Sequence, residues 1–311
     1  MDGKDKKNIL PVKSDVIFRL FFADERNVEF LISFLQSALD LPEDDYNEIE
    51  IADPHLLREY PGDKLGIIDV KLRTKSKKII HIEIQLAVTP ELKNRIVFYM
   101  AKLITEQIGS GDRYAAVNRV VSIVIADGKL IKDKDKENPR YHYCFTLYDR
   151  VADVEFTDLL EVHTLELTKL PPAADGTALY DWAKFIAANS EEELKVIAER
   201  NQTVSRAVVK LRELSADERA RDLYERREKE RRDTAMFLHD AERRGLAEGR
   251  AKGLAEGRAE GRAEGRAEGK TEGRVEEKLD IAKNLFAMNF SLEQVIAATG
   301  LTREEAESLR Q

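Results

Sequence analysis

The segments Gly66-Ile-Ile-Asp-Val-Lys-Leu72 and Ile79-Ile-His-Ile-Glu-Ile-Gln-Leu86 constrain this chain more than any other stretch. Each alternates apolar and polar residues with period 2, and a short basic run separates them, so together they read as a β-hairpin. Ile68, Val70 and Leu72 share one face of the first strand, and Ile80, Ile82, Ile84 and Leu86 share one face of the second. The opposite face carries Asp69 and Lys71, then His81, Glu83 and Gln85. A turn centred near Ser76 puts Asp69 directly across from Glu83, with Cβ atoms roughly 4.5–5.5 Å apart. Carboxylates so placed repel each other. A divalent cation between them removes that cost, because hard cations such as Mg²⁺ bind through carboxylates and substrate phosphates. The hairpin therefore reads as half of a metal site. The competing reading is a solvated outer face. Against it, Lys71 is the only cation on this face near the two acids, and Glu83 and Gln85 lie in an Ile-rich strand suited to a covered, central position.

The pattern has company along the chain. Ser14-Asp-Val-Ile-Phe-Arg-Leu-Phe-Phe22 precedes it, Asp63-Lys-Leu-Gly-Ile-Ile-Asp69 contains its first acid, and Ile82-Glu-Ile-Gln85 its second. Arg95-Ile-Val-Phe-Tyr99 and Gly111-Asp-Arg-Tyr114 follow, before Val120-Val-Ser-Ile-Val-Ile125. In order and spacing these segments resemble the PD-(D/E)XK nuclease superfamily, and within it the bacterial recombination-promoting nuclease, or transposase-like, family. The resemblance implies a mixed α/β, restriction-endonuclease-like core acting on DNA with Mg²⁺, or with Mn²⁺ or Ca²⁺ in its place. It implies Asp69 and Glu83 as metal ligands, with Asp15 a third candidate. Asp15 also lies in the first turn of a helix that Ser14 would cap, where the helix dipole favours a carboxylate, and the two roles compete. The chain departs from the superfamily pattern where Gln85 replaces the usual lysine. Glutamine carries no titratable proton, so Gln85 can orient a water or a phosphate oxygen but cannot act as a base. Lys71, two residues from Asp69, is the candidate to supply the missing charge. The alternative function is a weakly active or inactive nuclease-fold protein that binds DNA or acts as a scaffold.

A net charge of −8 is not that of a generic nucleic-acid binder, which leaves local patches to make any contact. Arg73, Lys75, Lys77 and Lys78 on the hairpin turn are the better patch; Arg226, Arg227, Lys229, Arg231 and Arg232 are the second. Cys144 is the only cysteine, the first residues carry no apolar signal region, and no apolar run approaches the ~20 residues of a membrane span. A soluble, cytoplasmic protein is expected. His163 and His239 lack a Cys or His partner at zinc spacing and read as structural.

Apolar periodicity predicts two helices between Asp15 and Leu41, a strand around Ile49–Ile51, and a helix from about Pro90 to Ile108 that puts Arg95 and Tyr99 on one face. That pair either holds phosphates or braces the sheet. Strands near Val120–Ala126, Tyr141–Tyr148 and Val162–Leu167 complete a mixed sheet, and Pro171-Pro172 ends it. Helical patterns follow, with Ser215-Ala-Asp-Glu218 in the form of a capping box. The expected domains are a nuclease core at 1–175, a helical extension at 176–241, a repeat at 242–276 and a small helical segment at 277–311.

In the repeat, Gly245, Gly249, Gly253, Gly257, Gly261, Gly265, Gly269 and Gly273 recur every four residues, mostly as Ala-Glu-Gly-Arg. A helix gives each residue type its own stripe, about 100° from the next. Glu and Arg then lie on opposite sides and find partners only on a second helix. Each glycine costs ~1 kcal/mol relative to alanine, so an isolated helix is marginal and self-association is expected to stabilise it. The end reads as three short helices, with Gly300 in a turn and Thr302 with Glu305 as a capping box. Its last helix is rich in glutamate, which favours assembly or recruitment over reading a DNA groove.

Overall fold

The structure, a computed structural model, describes residues 9–56, 68–133 and 139–310. The chain divides into two compact units, residues 1–230 and 231–311.

The first unit opens with α1 (Asp15–Phe22) and α2 (Val28–Ala38), the two expected helices. Ser14 occupies the position before α1 in extended backbone, but its buried hydroxyl has no partner and does not cap the helix. Then come β1 (Glu50–Ala52), β2 (Val70–Arg73), β3 (Ile79–Gln85), α3 (Leu92–Thr105) and β4 (Val120–Ala126). The hairpin β5 (His142–Asp149) and β6 (Val154–Glu166) completes a six-stranded sheet of order β1-β2-β3-β4-β6-β5. Pairing is parallel for β3–β4 and β4–β6 and antiparallel elsewhere, so the sheet is mixed and the fold is α/β. The helix α3 makes the crossover that the parallel β3–β4 pair requires. β6 begins eight residues earlier than Val162. Its first half is mostly exposed and interrupted by bulges against β5, so no buried face printed itself on the sequence there.

Alternation along β3 and β4 assigns the two faces. Val70, Leu72, Ile80, Ile82, Ile84, Val121, Ile123, Ile125 and Leu165 join α1 and α2 in the larger core. There Phe18, Phe21, Phe22, Phe34 and Trp182 pack ring on ring at centroid distances of 4.7–6.4 Å. The other face buries Ile79, Val120 and Val124 against Leu92, Ile96, Met100 and Leu103 of α3.

Helices α4 (Ala178–Ala187), α5 (Glu191–Ala198) and α6 (Gln202–Ala216) follow. The Ser215 box does not form. Ser215 lies within the last turn of α6 and its hydroxyl accepts the Leu10 N–H at 2.9 Å; Asp217 takes the capping role instead, accepting the Ala220 N–H at 2.8 Å. The helix α7 (Glu218–Ala287) runs through the tetrads as one element. A Cβ added at any glycine from Gly245 to Gly273 would meet nothing within 4 Å, so the bare stripe lies open.

In the second unit the segment from Leu279 continues α7, so two short helices follow rather than three: α8 (Leu292–Thr299) and α9 (Arg303–Ser308). Leu292, Val295, Leu301 and Ala306 close with Ala282 into a small core. Gly300 adopts φ 68°, and Thr302 with Glu305 forms the expected capping box. Among the described residues no helix is long and apolar enough to cross a membrane.

Candidate active site

The hairpin register places the two acids. Val70 pairs with Ile82 and Arg73 with Ile79, and continuing that ladder by one residue sets Asp69 opposite Glu83. The turn closes with Lys77 N–H donating to the Thr74 carbonyl, centred on Ser76 as the spacing requires. Asp69 sits one residue before β2, where its Oδ2 accepts the Ile84 N–H at 2.8 Å. Residues 63–67, which precede it in the motif, lie outside the described residues.

The polar face of the hairpin is covered, not solvated. Glu83 and His81 are buried beside the face that α3 packs on. Burial first, and the neighbouring Asp69 carboxylate second, push the Glu83 pKa up to about 9, with Arg95 opposing. Burial likewise raises Asp69, against the Ile84 N–H, a hydrogen bond with Glu83 and the charge of Arg19. With no cation present the two carboxyls are thus held as a proton-sharing pair, because two buried like charges cannot both ionise. Burial and the nearby Glu83 also raise the Tyr99 hydroxyl.

Around this pair the predicted residues divide. Gln85 Nε2 lies 3.5 Å from Glu83 Oε2, at the less buried end of β3. Lys71 is on the same face but sends its ammonium to Glu106 Oε2 at 3.0 Å, a pair in which both side chains are largely covered. Asp15 is near enough to raise Asp69, yet its Oδ2 receives Arg227 Nη2 at 2.6 Å. Among the described residues Asp15 does not close a three-ligand group with Asp69 and Glu83 within 4.8 Å. Arg95 and Tyr99 do face the pair from α3, and the buried Arg95 Nε has no hydrogen-bond partner. Arg19, four residues after Asp15 on α1, was not singled out by the sequence; its spacing from Asp15 was the available signal.

The turn patch is displaced from this site. It occupies the opposite end of the hairpin from Asp69, roughly 20 Å away at ~3.3 Å per strand residue. Lys75 and Lys78 are also ion-paired there with Asp44 and Asp45. His163 has partners on both sides: His142 at 2.9 Å, which strand pairing brings beside it, and Glu161, two residues before it on β6, at 2.5 Å.

The donor set at the hairpin is two buried carboxylates side by side, which suits a hard divalent ion. No curated protein and no solved structure matches the chain. A sequence model of one family does match, over residues 12–241, and this span contains the hairpin, α3 and the sheet. The chain belongs to the PD-(D/E)XK nuclease family transposases.

Proposed function

We propose that this protein is a Mg²⁺-dependent DNA endonuclease that hydrolyses phosphodiester bonds at Asp69 and Glu83, in recombination or the movement of genetic elements. Membership of a nuclease family implies a DNA substrate, and PD-(D/E)XK nucleases generally use divalent metal ions. The observation that carries the reading is the buried Asp69–Glu83 pair, whose mutual repulsion a divalent cation would relieve. A bound cation would supply Lewis-acid stabilisation of the phosphoryl group and an activated nucleophile at neutral pH. The side chains divide the remaining work. Asp69 and Glu83, both ionised, would hold the ion, while the Ile84 N–H fixes the Asp69 carboxylate. Gln85 orients a water or a phosphate oxygen through its amide. The partnerless Nε of Arg95 offers a donor to a non-bridging phosphate oxygen. Asp15, on releasing Arg227, would complete the outer or inner shell of the ion, and Lys71 would contribute its field from the same face.

The test is nicking of supercoiled plasmid by the purified protein. Conversion to open circles in Mg²⁺ or Mn²⁺, halted by a chelator, is the expected result. The rival, a nuclease-fold scaffold with little chemistry, is favoured by one observation: Lys71 is already committed to Glu106, which leaves Gln85 without a replacement for the lysine. A protein that binds the cation and DNA but never nicks would favour the scaffold.

The tetrads have their own role in this reading. Open glycine, glutamate and arginine stripes on α7 would pair with those of a second chain, making a homo-oligomer through residues 242–276. Two copies would also set two cutting sites against the two strands of a duplex. Deleting 242–276 is expected to lower the mass seen by light scattering to that of a single chain. An unchanged mass would rule the tetrads out as the interface.

A further inference from the structure

Away from the carboxylate pair, the two outermost strands carry a second set of ligating side chains. In the antiparallel β5–β6 register Cys144 lies opposite His163, with His142 and Glu161 two residues away on the same face. Leu165 shares that alternation and joins the larger core, so this face is the one opposite α3. One ligand atom each from Cys144, Glu161 and His163 falls within 4.8 Å of the others, with Glu161 and His163 buried and Cys144 exposed. His163 is fixed from both sides. Its Nε2 is 2.5 Å from Glu161 Oε1, and its Nδ1 is 2.9 Å from Nε2 of His142, whose ring stacks on it at 5.2 Å. Arg119 holds the other carboxylate oxygen, Oε2.

We propose that Cys144 Sγ, Glu161 Oε1 and His163 Nε2 form a binding site for a borderline-soft transition-metal cation, Zn²⁺ foremost. The mixed sulfur, nitrogen and oxygen donors select that class over Mg²⁺, which prefers all-oxygen shells. Ligand atoms of a tetrahedral zinc lie about 3.3–3.8 Å apart, so side-chain rotations would part His163 Nε2 from Glu161 Oε1, 2.5 Å apart without the ion, and set both at that distance from Cys144 Sγ, which lies within 4.8 Å of them. The exposed side at Cys144 admits the ion and leaves a fourth position to water. Binding would place the His163 proton on Nδ1, from where it would donate to His142 Nε2 and leave the Nε2 lone pair for the ion, while Arg119 orients Glu161. Cys144 would bind as thiolate, so binding releases a proton to solvent and tightens with rising pH. A bound ion would clamp the edge strand β5 to β6.

Full-length, metal-free protein titrated with Zn²⁺ alone against a chromophoric chelator, in excess Mg²⁺ to saturate the carboxylate pair, tests the site. Co²⁺ alone provides the spectroscopic signature. One tight equivalent is expected, with a thiolate-to-cobalt absorption band. Glu83→Gln should leave both unchanged, so failure here is distinguishable from failure of the nuclease reading. Cys144→Ser, at an exposed position and checked for folding by circular dichroism, should erase the band and weaken Zn²⁺ by more than about 100-fold, and His142→Ala by ~10–100-fold. Zinc binding no tighter than in Cys144→Ser, or a cobalt complex without the band, would overturn the site and leave His163–Glu161 an ordinary ion pair.

Discussion

Glu83→Gln is expected to lower plasmid nicking by more than about 100-fold while making the metal-free protein more stable. The activity side follows from the role proposed for Glu83. Groups that merely orient a metal ligand cost ~10–100-fold when removed, and a ligand itself should cost more. The stability side follows from burial. Glu83 is held at a pKa of about 9 against the usual 4.5 of a glutamate, so at neutral pH the fold keeps a proton that the unfolded chain has released. Three or so pH units of such mismatch correspond to on the order of 4 kcal/mol. Glutamine needs no proton, and its amide can donate to Asp69. A denaturation midpoint that rises as cleavage disappears separates loss of chemistry from loss of fold. If the variant retained its cleavage, Glu83 would have no place in the site.

The same pair sets a pH dependence. An acid whose folded pKa lies above its unfolded value destabilises the fold as pH rises between the two, here from about 4.5 to about 9, because the unfolded state has lost the proton that the folded state keeps. His81 acts at the other end. Burial, with Lys71 adding to it, lowers its pKa to about 3, so its penalty grows as pH falls below the usual histidine value and is absent above it. Between pH 7 and 9 the carboxyl pair therefore dominates, and metal-free protein should lose roughly 2–3 kcal/mol, at ~1.4 kcal/mol per unit. Mg²⁺ or Mn²⁺ binds the ionised pair and should flatten the slope. Thermal melts in chelator and in excess cation measure both. A metal-free slope that matched that of Glu83→Gln would refute the assignment.

How much of this was readable beforehand depends on the range of each interaction. The Asp69–Glu83 pairing was legible because strand period and turn length fix register locally, and both were printed in the residues from Val70 to Gln85. The helix α3, with Arg95 and Tyr99 on one face, was legible from its periodicity. The partners of the same side chains were not. Lys71 meets Glu106, 35 residues on, and Asp15 meets Arg227, 212 residues on; no local pattern encodes either contact. The proximity of Cys144 to His163, which reads as structural from its spacing, was illegible for a related reason, since it comes from strand pairing rather than from a ligand spacing along the chain. Ser215 shows the opposite failure. Its local pattern fits a cap, but the N–H of Leu10 claims the hydroxyl and Asp217 caps α7.

Crystals soaked in Mn²⁺ and measured at the manganese absorption edge test the metal assignment most directly. The expected result is an anomalous peak between Asp69 and Glu83, about 2–2.5 Å from a carboxylate oxygen of each, that vanishes in Glu83→Gln. A saturating soak that leaves no peak at this pair, or places the ion only on other residues, would contradict it.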